Sequence, residues 1–256
     1  MTRIHRILIL GGTTEARELA ARLAAEGKHE VTVSLAGRVK EIVPHAVPVR
    51  IGGFGGIDGL AAWLEAEEVD LLIDATHPFA EQMSRNAVAA AVKAGVRLLA
   101  LRRPPWTQTD GDRWREVDGV GESVAALGGA RRRVFLAIGR QEIDAFARAP
   151  QHFYLVRSID RVTDRFLDDA VYLEGRGPFR AEDERALMEA YAIDTVVARN
   201  SGGDAGYAKI AAARALGVEV ILIRPPNLPN ARTVATVDEA VAWIAHPGIS
   251  AAARGV

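Results

Sequence analysis

The sequence predicts an α/β protein of two Rossmann-like parallel-sheet domains with a cleft between them. Three observations predict it. Short apolar runs alternate with helical patterns, as in βαβ units. Glycine-rich turns follow two of the apolar runs, and the second half of the chain repeats the plan of the first.

Taken in order, residues 6–10 form a compact apolar strand. Ala16, Leu19, Ala20, Leu23 and Ala24 then recur at helical spacing until Gly27 ends the helix. Residues 31–35, 47–51, 70–75 and 97–101 continue the sheet, with helices expected over 57–67 and 80–94. After Arg102-Arg103-Pro104-Pro105-Trp106 comes a polar stretch, 107–112, which marks a boundary. Residues 1–106 are the expected first domain and 107–256 the expected second. The repeat can be followed by residue. Val69-Asp70-Leu71-Leu72-Ile73 matches Ile193-Asp194-Thr195-Val196-Val197, residues 94–102 match 216–224 and then run into Pro-Pro, and Arg133 to Gly139 resembles Arg6 to Gly12.

Composition narrows the function. Of 256 residues, 49% are hydrophobic and 25% charged, as in a folded globular chain. A net charge of −1 argues against a general nucleic-acid or membrane-surface binder. The lack of cysteine excludes disulfides and thiolate metal sites, no Cys/His spacing suggests a metal, and no apolar run is long enough to cross a bilayer. A cytoplasmic protein is expected; the sequence is silent on its oligomeric state.

The first strand ends at Gly11-Gly12-Thr13-Thr14. Such glycines let backbone approach a pyrophosphate, the following helix N-terminus favours anions, and Thr13 and Thr14 can cap the helix or donate hydroxyl hydrogen bonds. The turn departs from G-x-G-x-x-G, with Ala16 at a small-residue position. After the second strand the chain reads Ser34-Leu35-Ala36-Gly37-Arg38. It lacks the carboxylate that holds an NAD ribose, and its serine and arginine suit a 2′-phosphate, so NADPH is the expected cofactor. Gly53 and Phe54, in Gly52-Gly53-Phe54-Gly55-Gly56, are expected to meet the cofactor too. Asp74, Thr76 and His77 end the fourth strand and are placed near the nicotinamide. His77 is a candidate acid or positioning donor, or a structural histidine.

With these segments in place the chain resembles the precorrin-6A reductase family of cobalamin biosynthesis. The resemblance rests on Ile9-Leu10-Gly11-Gly12-Thr13-Thr14-Glu15-Ala16, Asp74-Ala75-Thr76-His77-Pro78-Phe79-Ala80, Arg103-Pro104-Pro105-Trp106, Gly177-Pro178-Phe179, and Asn200-Ser201-Gly202-Gly203 with Lys209. It implies NADPH-dependent reduction of one double bond of precorrin-6A to give precorrin-6B, without metal or flavin. Such a substrate is an anionic tetrapyrrole bearing several carboxylates, which gives purpose to Arg140, Arg157, Arg161, Arg176, Arg199, Lys209 and Arg224. Arg199, Ser201, Gly202, Gly203 and Lys209 are the substrate-binding candidates, and Lys209 joins His77 as a catalytic candidate. Asp204 is either a proton donor or a helix cap, and Gly177-Pro178-Phe179 is expected to open a helix. Two alternatives stay open: an NADPH-dependent reductase of another anionic substrate, and a non-catalytic NADP-binding sensor. The short-chain dehydrogenase mechanism is disfavoured, because neither Tyr154 nor Tyr207 is followed four positions later by lysine.

Overall fold

The computed structural model describes residues 5–37, 43–163 and 166–245. The first unit opens with β1 (Arg6–Leu10), α1 (Thr14–Glu26), β2 (Glu30–Leu35), β3 (Val49–Ile51), α2 (Gly56–Ala66), β4 (Leu71–Asp74), α3 (Glu81–Ala94) and β5 (Arg97–Leu101). Strand β1 is apolar and buried from Ile7 to Leu10 because helices cover both faces of the sheet. Ile7 and Ile9 join a core with Ala16, Leu19, Ala20 and Leu23 of α1, while Leu8 and Leu10 join another with Leu60 and Leu64 of α2 and Ala87 and Ala90 of α3. Helix α1 begins where the Thr13 hydroxyl accepts from the Ala16 N–H at 3.1 Å, and it stops at Gly27, whose φ is 63°.

The second unit comprises β6 (Trp114–Val117), α4 (Val120–Leu127), β7 (Arg133–Ala137), a 3-10 helix (Arg140–Arg148), β8 (Phe153–Ser158), β9 (Ala170–Glu174), α5 (Ala181–Ala190), β10 (Thr195–Arg199), α6 (Ala208–Leu216) and β11 (Glu219–Ile223). Its six strands are ordered β6-β11-β10-β7-β8-β9 and are all parallel. Where the first unit has α1, the second has the 3-10 helix. Its buried residues, Ile143 and Phe146, stand three apart, which is the repeat of that helix.

The chain then returns to the first unit. Strand β12 (Thr233–Val234) pairs with β5, and α7 (Val237–Ala245) packs against α1, completing the order β12-β5-β4-β1-β2-β3. The expected boundary at 106/107 is corrected accordingly: one unit is residues up to Arg103 with those from Asn227 onward, and the other is Pro104–Pro226. The physical reason is a reciprocal exchange. The strand after β5 pairs beside β11, and the strand after β11 pairs beside β5, so no single polar linker separates the two cores. Among the described residues no helix is long and apolar enough to cross a membrane.

The internal repeat extends to register. Ile7 pairs with Leu71 and Leu71 with Arg97 in the first sheet; Val134 pairs with Thr195 and Thr195 with Glu219 in the second. The N–H groups of Arg6 and Arg133 each donate to an aspartate, Asp70 and Asp194, at 3.0 Å.

Candidate active site

In the first sheet the chain runs outward from β1 to β3 on one side and from β4 through β5 on the other. The topological switch point therefore lies between β1 and β4, where open α/β sheets bind ligands. Gly12 there has φ of 114°, a conformation that favours glycine, and open space where a Cβ would stand. Gly11 is packed instead: its Cβ would lie 3.0 Å from Val33 Cγ1. The N–H groups of Thr14 and Glu15 open α1 and have no acceptor within the helix. Open backbone at Gly12 and these donors at the positive end of the helix dipole fit a pyrophosphate. Of the two roles open to Thr13, its hydroxyl takes the structural one, accepting from Ala16 N and donating to Ala75 O at 2.8 Å. That bond ties the β1 turn to the β4 turn. Thr14 is exposed. Glu15 in the first turn would repel a phosphate, but Arg103 Nη1 meets both its oxygens at 2.8 and 2.7 Å. The pair lines a recess with Thr13, Thr76, Pro78, Leu101 and Arg102.

Asp74 ends β4 with only 2% of its surface exposed. Its Oδ1 accepts from the Thr76 hydroxyl at 2.7 Å, and its Oδ2 accepts from the Ser84 hydroxyl at 2.6 Å with Arg102 Nη2 at 3.6 Å. A carboxylate so engaged faces the protein, so Asp74 sets the Thr76-His77 turn from behind. In that turn His77 Nδ1 accepts the Phe79 N–H at 3.3 Å, and a neutral ring so bonded carries its proton on Nε2.

Ser34, buried at the end of β2, accepts the Gly11 N–H on its carbonyl at 2.9 Å. Ala36 and Gly37 follow it, exposed, and Gly53 is exposed beyond β3. Arg38 lies outside the described residues. Arg50 of β3, which the sequence reading passed over, stands opposite Ser34 and lays its guanidinium on the Phe54 ring, 3.8 Å from the centroid.

In the second unit the turn after β10 carries Asn200-Ser201-Gly202-Gly203. Asn200 is 3% exposed and clasps the Trp106 backbone, accepting its N–H at 2.7 Å and donating to its carbonyl at 2.9 Å. The Trp106 indole N–H donates to Gly203 O at 2.8 Å. Gly202 and Gly203 both take left-handed conformations, φ 64° and 69°. Ser201 turns its N–H inward to Arg199 O at 2.9 Å, so its backbone is no donor to a ligand. Lys209, in the first turn of α6, is 9% exposed; its Nζ donates to Gly206 O at 2.5 Å and lies 5.2 Å from the Trp106 ring centroid. Arg199 pairs with Glu142 at 2.5 Å.

Two other expected cations, Arg157 and Arg224, are held by carboxylates. Arg157 forks onto Glu184, which is 2% exposed, and packs on Phe179 at 3.6 Å. Arg224 pairs with Asp118 at 2.7 Å. Asp204 is not the cap of α6: Tyr207 stands there, with no side-chain cap hydrogen bond. Gly177-Pro178-Phe179 precedes α5 without opening it: Arg180 is at the cap.

A sequence model of the family described as "Precorrin-6x reductase CbiJ/CobK" matches residues 6–245, the start of β1 to the end of α7. The chain belongs to that family. It is 55% identical over 242 residues to a precorrin-6A reductase of a Sinorhizobium species, covering 94% of this chain and 93% of the relative. It is 48% identical over 252 residues to the precorrin-6A reductase of Rhodobacter capsulatus, covering 98% and 99%. A solved structure described as CobK precorrin-6A reductase superposes with a TM-score of 0.92 at 47% identity, over 96% of this chain and 98% of that one. Membership makes the chain a reductase, and the match spans both units.

Three features were missed in the sequence: Arg50, the Glu15–Arg103 pair and the Asn200–Trp106 clasp. Arg50 sits inside a short strand, where pattern reading assigns side chains to packing. The other two join residues 88 and 94 positions apart, and only the shared Arg-Pro-Pro-Trp segment hinted at them.

Proposed function

We propose that the chain catalyses the NADPH-dependent reduction of precorrin-6A to precorrin-6B in cobalamin biosynthesis. The observation that carries this reading is 55% identity to a precorrin-6A reductase over 94% of the chain. NADPH, when bound, supplies hydride for one double bond of the macrocycle.

The residues divide the remaining work. Gly12 and the N–H groups of Thr14 and Glu15 hold the pyrophosphate, with Thr13 fixing the turn. Ser34, Ala36, Gly37 and Arg38 take the adenosine ribose and its 2′-phosphate, and Gly53 and Phe54 line the adenine side. Thr76 and His77, set by Asp74, face the nicotinamide end. Ser201, Gly202, Gly203, Arg199 and Lys209 serve the anionic tetrapyrrole, and the Lys209 ammonium faces a carboxylate or donates a proton as the double bond is reduced. His77 Nε2 is the second donor. Aligning the reacting faces and excluding water are the larger part of the catalysis.

The test is an anaerobic mixture of protein, precorrin-6A and NADPH. Loss of nicotinamide absorbance together with a changed tetrapyrrole spectrum and a mass gain of two hydrogens is expected. NADPH binding without either change would overturn the assignment in favour of a sensor.

A further inference from the structure

We propose that Arg50 grips the 2′-phosphate of the nucleotide and sets the preference for NADPH over NADH; this rests on reading the first unit as the NADPH site. Arg50 stands on β3 opposite Ser34 of β2, and its Nη1 reaches to 3.4 Å from the Ser34 hydroxyl. In a doubly wound sheet the end of β2 is where the adenosine ribose is read.

The side chain is held ready without being neutralised. Its guanidinium lies on the Phe54 ring, while Nη1 donates to Gly52 O at 2.6 Å and Nη2 to Gly53 O at 2.7 Å. Arg103, Arg157, Arg199 and Arg224 each meet a carboxylate. Arg50, among the described residues, meets only neutral carbonyls, a hydroxyl and an aromatic face, so its whole charge is available to an anion. Fixing a guanidinium before binding also lowers the ordering cost of the ion pair.

The neighbouring surface suits the rest of an adenosine. Ile51 is 58% exposed beside Arg50, and its Cγ2 lies 3.1 Å from where a Gly37 Cβ would stand. An apolar side chain is thus offered next to a fixed cation, at a strand end that carries no carboxylate from Ser34 to Gly37. A base stacks on the first, a 2′-phosphate pairs with the second, and a ribose with a free 2′-hydroxyl gains little.

Dissociation constants of NADPH, NADH and adenosine 2′,5′-bisphosphate for the wild type, R50Q and R50K test this. R50Q is expected to weaken NADPH and the bisphosphate by roughly 10- to 150-fold, the loss of a hydrogen bond to a charged group, and to leave NADH within about threefold. R50K, which keeps the charge but not the fork, should fall between. Equal losses for NADPH and NADH would show a mere clamp on the Phe54 loop and overturn the proposal; so would unchanged NADPH binding. Should R50Q fail to fold, R50K decides alone: a loss confined to the phosphorylated nucleotides supports the proposal, and a shared or absent loss overturns it. A wild type that binds NADH as tightly as NADPH would instead remove the cofactor reading on which the proposal stands.

Discussion

At the scale of single residues, Lys209 and Asp74 are both buried and differ in what holds them. The lysine is 9% exposed, and its ammonium lies on the Gly206 carbonyl and the face of Trp106. Asp74 is buried too, but both its oxygens are engaged by hydroxyls of its own unit. The lysine is the better candidate for chemistry. Lys209→Met keeps the aliphatic stem and removes the charge. We expect turnover of precorrin-6A to fall by about a hundredfold or more, the usual contribution of a positioned proton donor. NADPH affinity should stay within about twofold of wild type, since the lysine belongs to the second unit and the turn proposed to hold the pyrophosphate to the first. Weakened NADPH binding in a fluorescence titration, or undiminished turnover, would reject the role.

At the scale of elements, ion pairs between strands and helices fix the sheet ends where the candidate residues stand. Arg157 at the end of β8 and Glu184 in the first turn of α5 form a bidentate pair with 10% and 2% of their side chains exposed. Removing one partner strands a buried charge, so Glu184→Ala should cost about 3–5 kcal/mol in urea denaturation, whereas Arg157→Met with Glu184→Leu should come much closer to wild type. A loss below about 1 kcal/mol for the single variant would mean the pair is solvated. This pair also marks a limit of legibility. The sequence predicted β1, α1, β2 and β5 within a residue or two, because apolar runs and glycine stops are local signals. It left Arg157 among several arginines open to either a substrate carboxylate or the surface, since an arginine at a strand end reads the same in every role, and the carboxylate that pairs with it lies 27 positions onward. The Thr13 cap was legible for a local reason that the place of Arg50 lacks: a cap is read along the chain, and Arg50 opposite Ser34 is read across two strands.

At the scale of the whole molecule, duplication explains features that look unrelated along the chain. The exchanged segments obey it. Asp118 N donates to Glu122 at 2.9 Å before α4, and Ala235 N donates to Glu239 at 2.7 Å before α7. These two stretches precede the repeat in one copy and follow it in the other, which is why matching the halves in linear order missed the exchange. The same relation places a histidine before β2 and another before β8, His29 and His152. Burial holds both imidazoles below their usual pKa, outweighing for His152 a hydrogen bond with the Gly128 backbone, while Arg132 adds to the lowering and Asp194 opposes it. His152 is fully buried, with Nδ1 accepting the Arg132 N–H at 3.1 Å. The folded state therefore binds fewer protons than the unfolded state below about pH 6.5, the ordinary imidazole value, and above it both states are neutral. Stability should be flat at neutral pH and decline as pH falls through that value, until the lowered folded pKa is passed. Within that window His152 contributes a slope of at most about 1.4 kcal/mol per pH unit. His152→Asn can keep an acceptor for the Arg132 N–H and takes no proton, so its urea midpoint should vary less between pH 7.5 and 5.5 than that of the wild type. Parallel pH profiles for the two proteins would show that His152 is not a source of the acid lability.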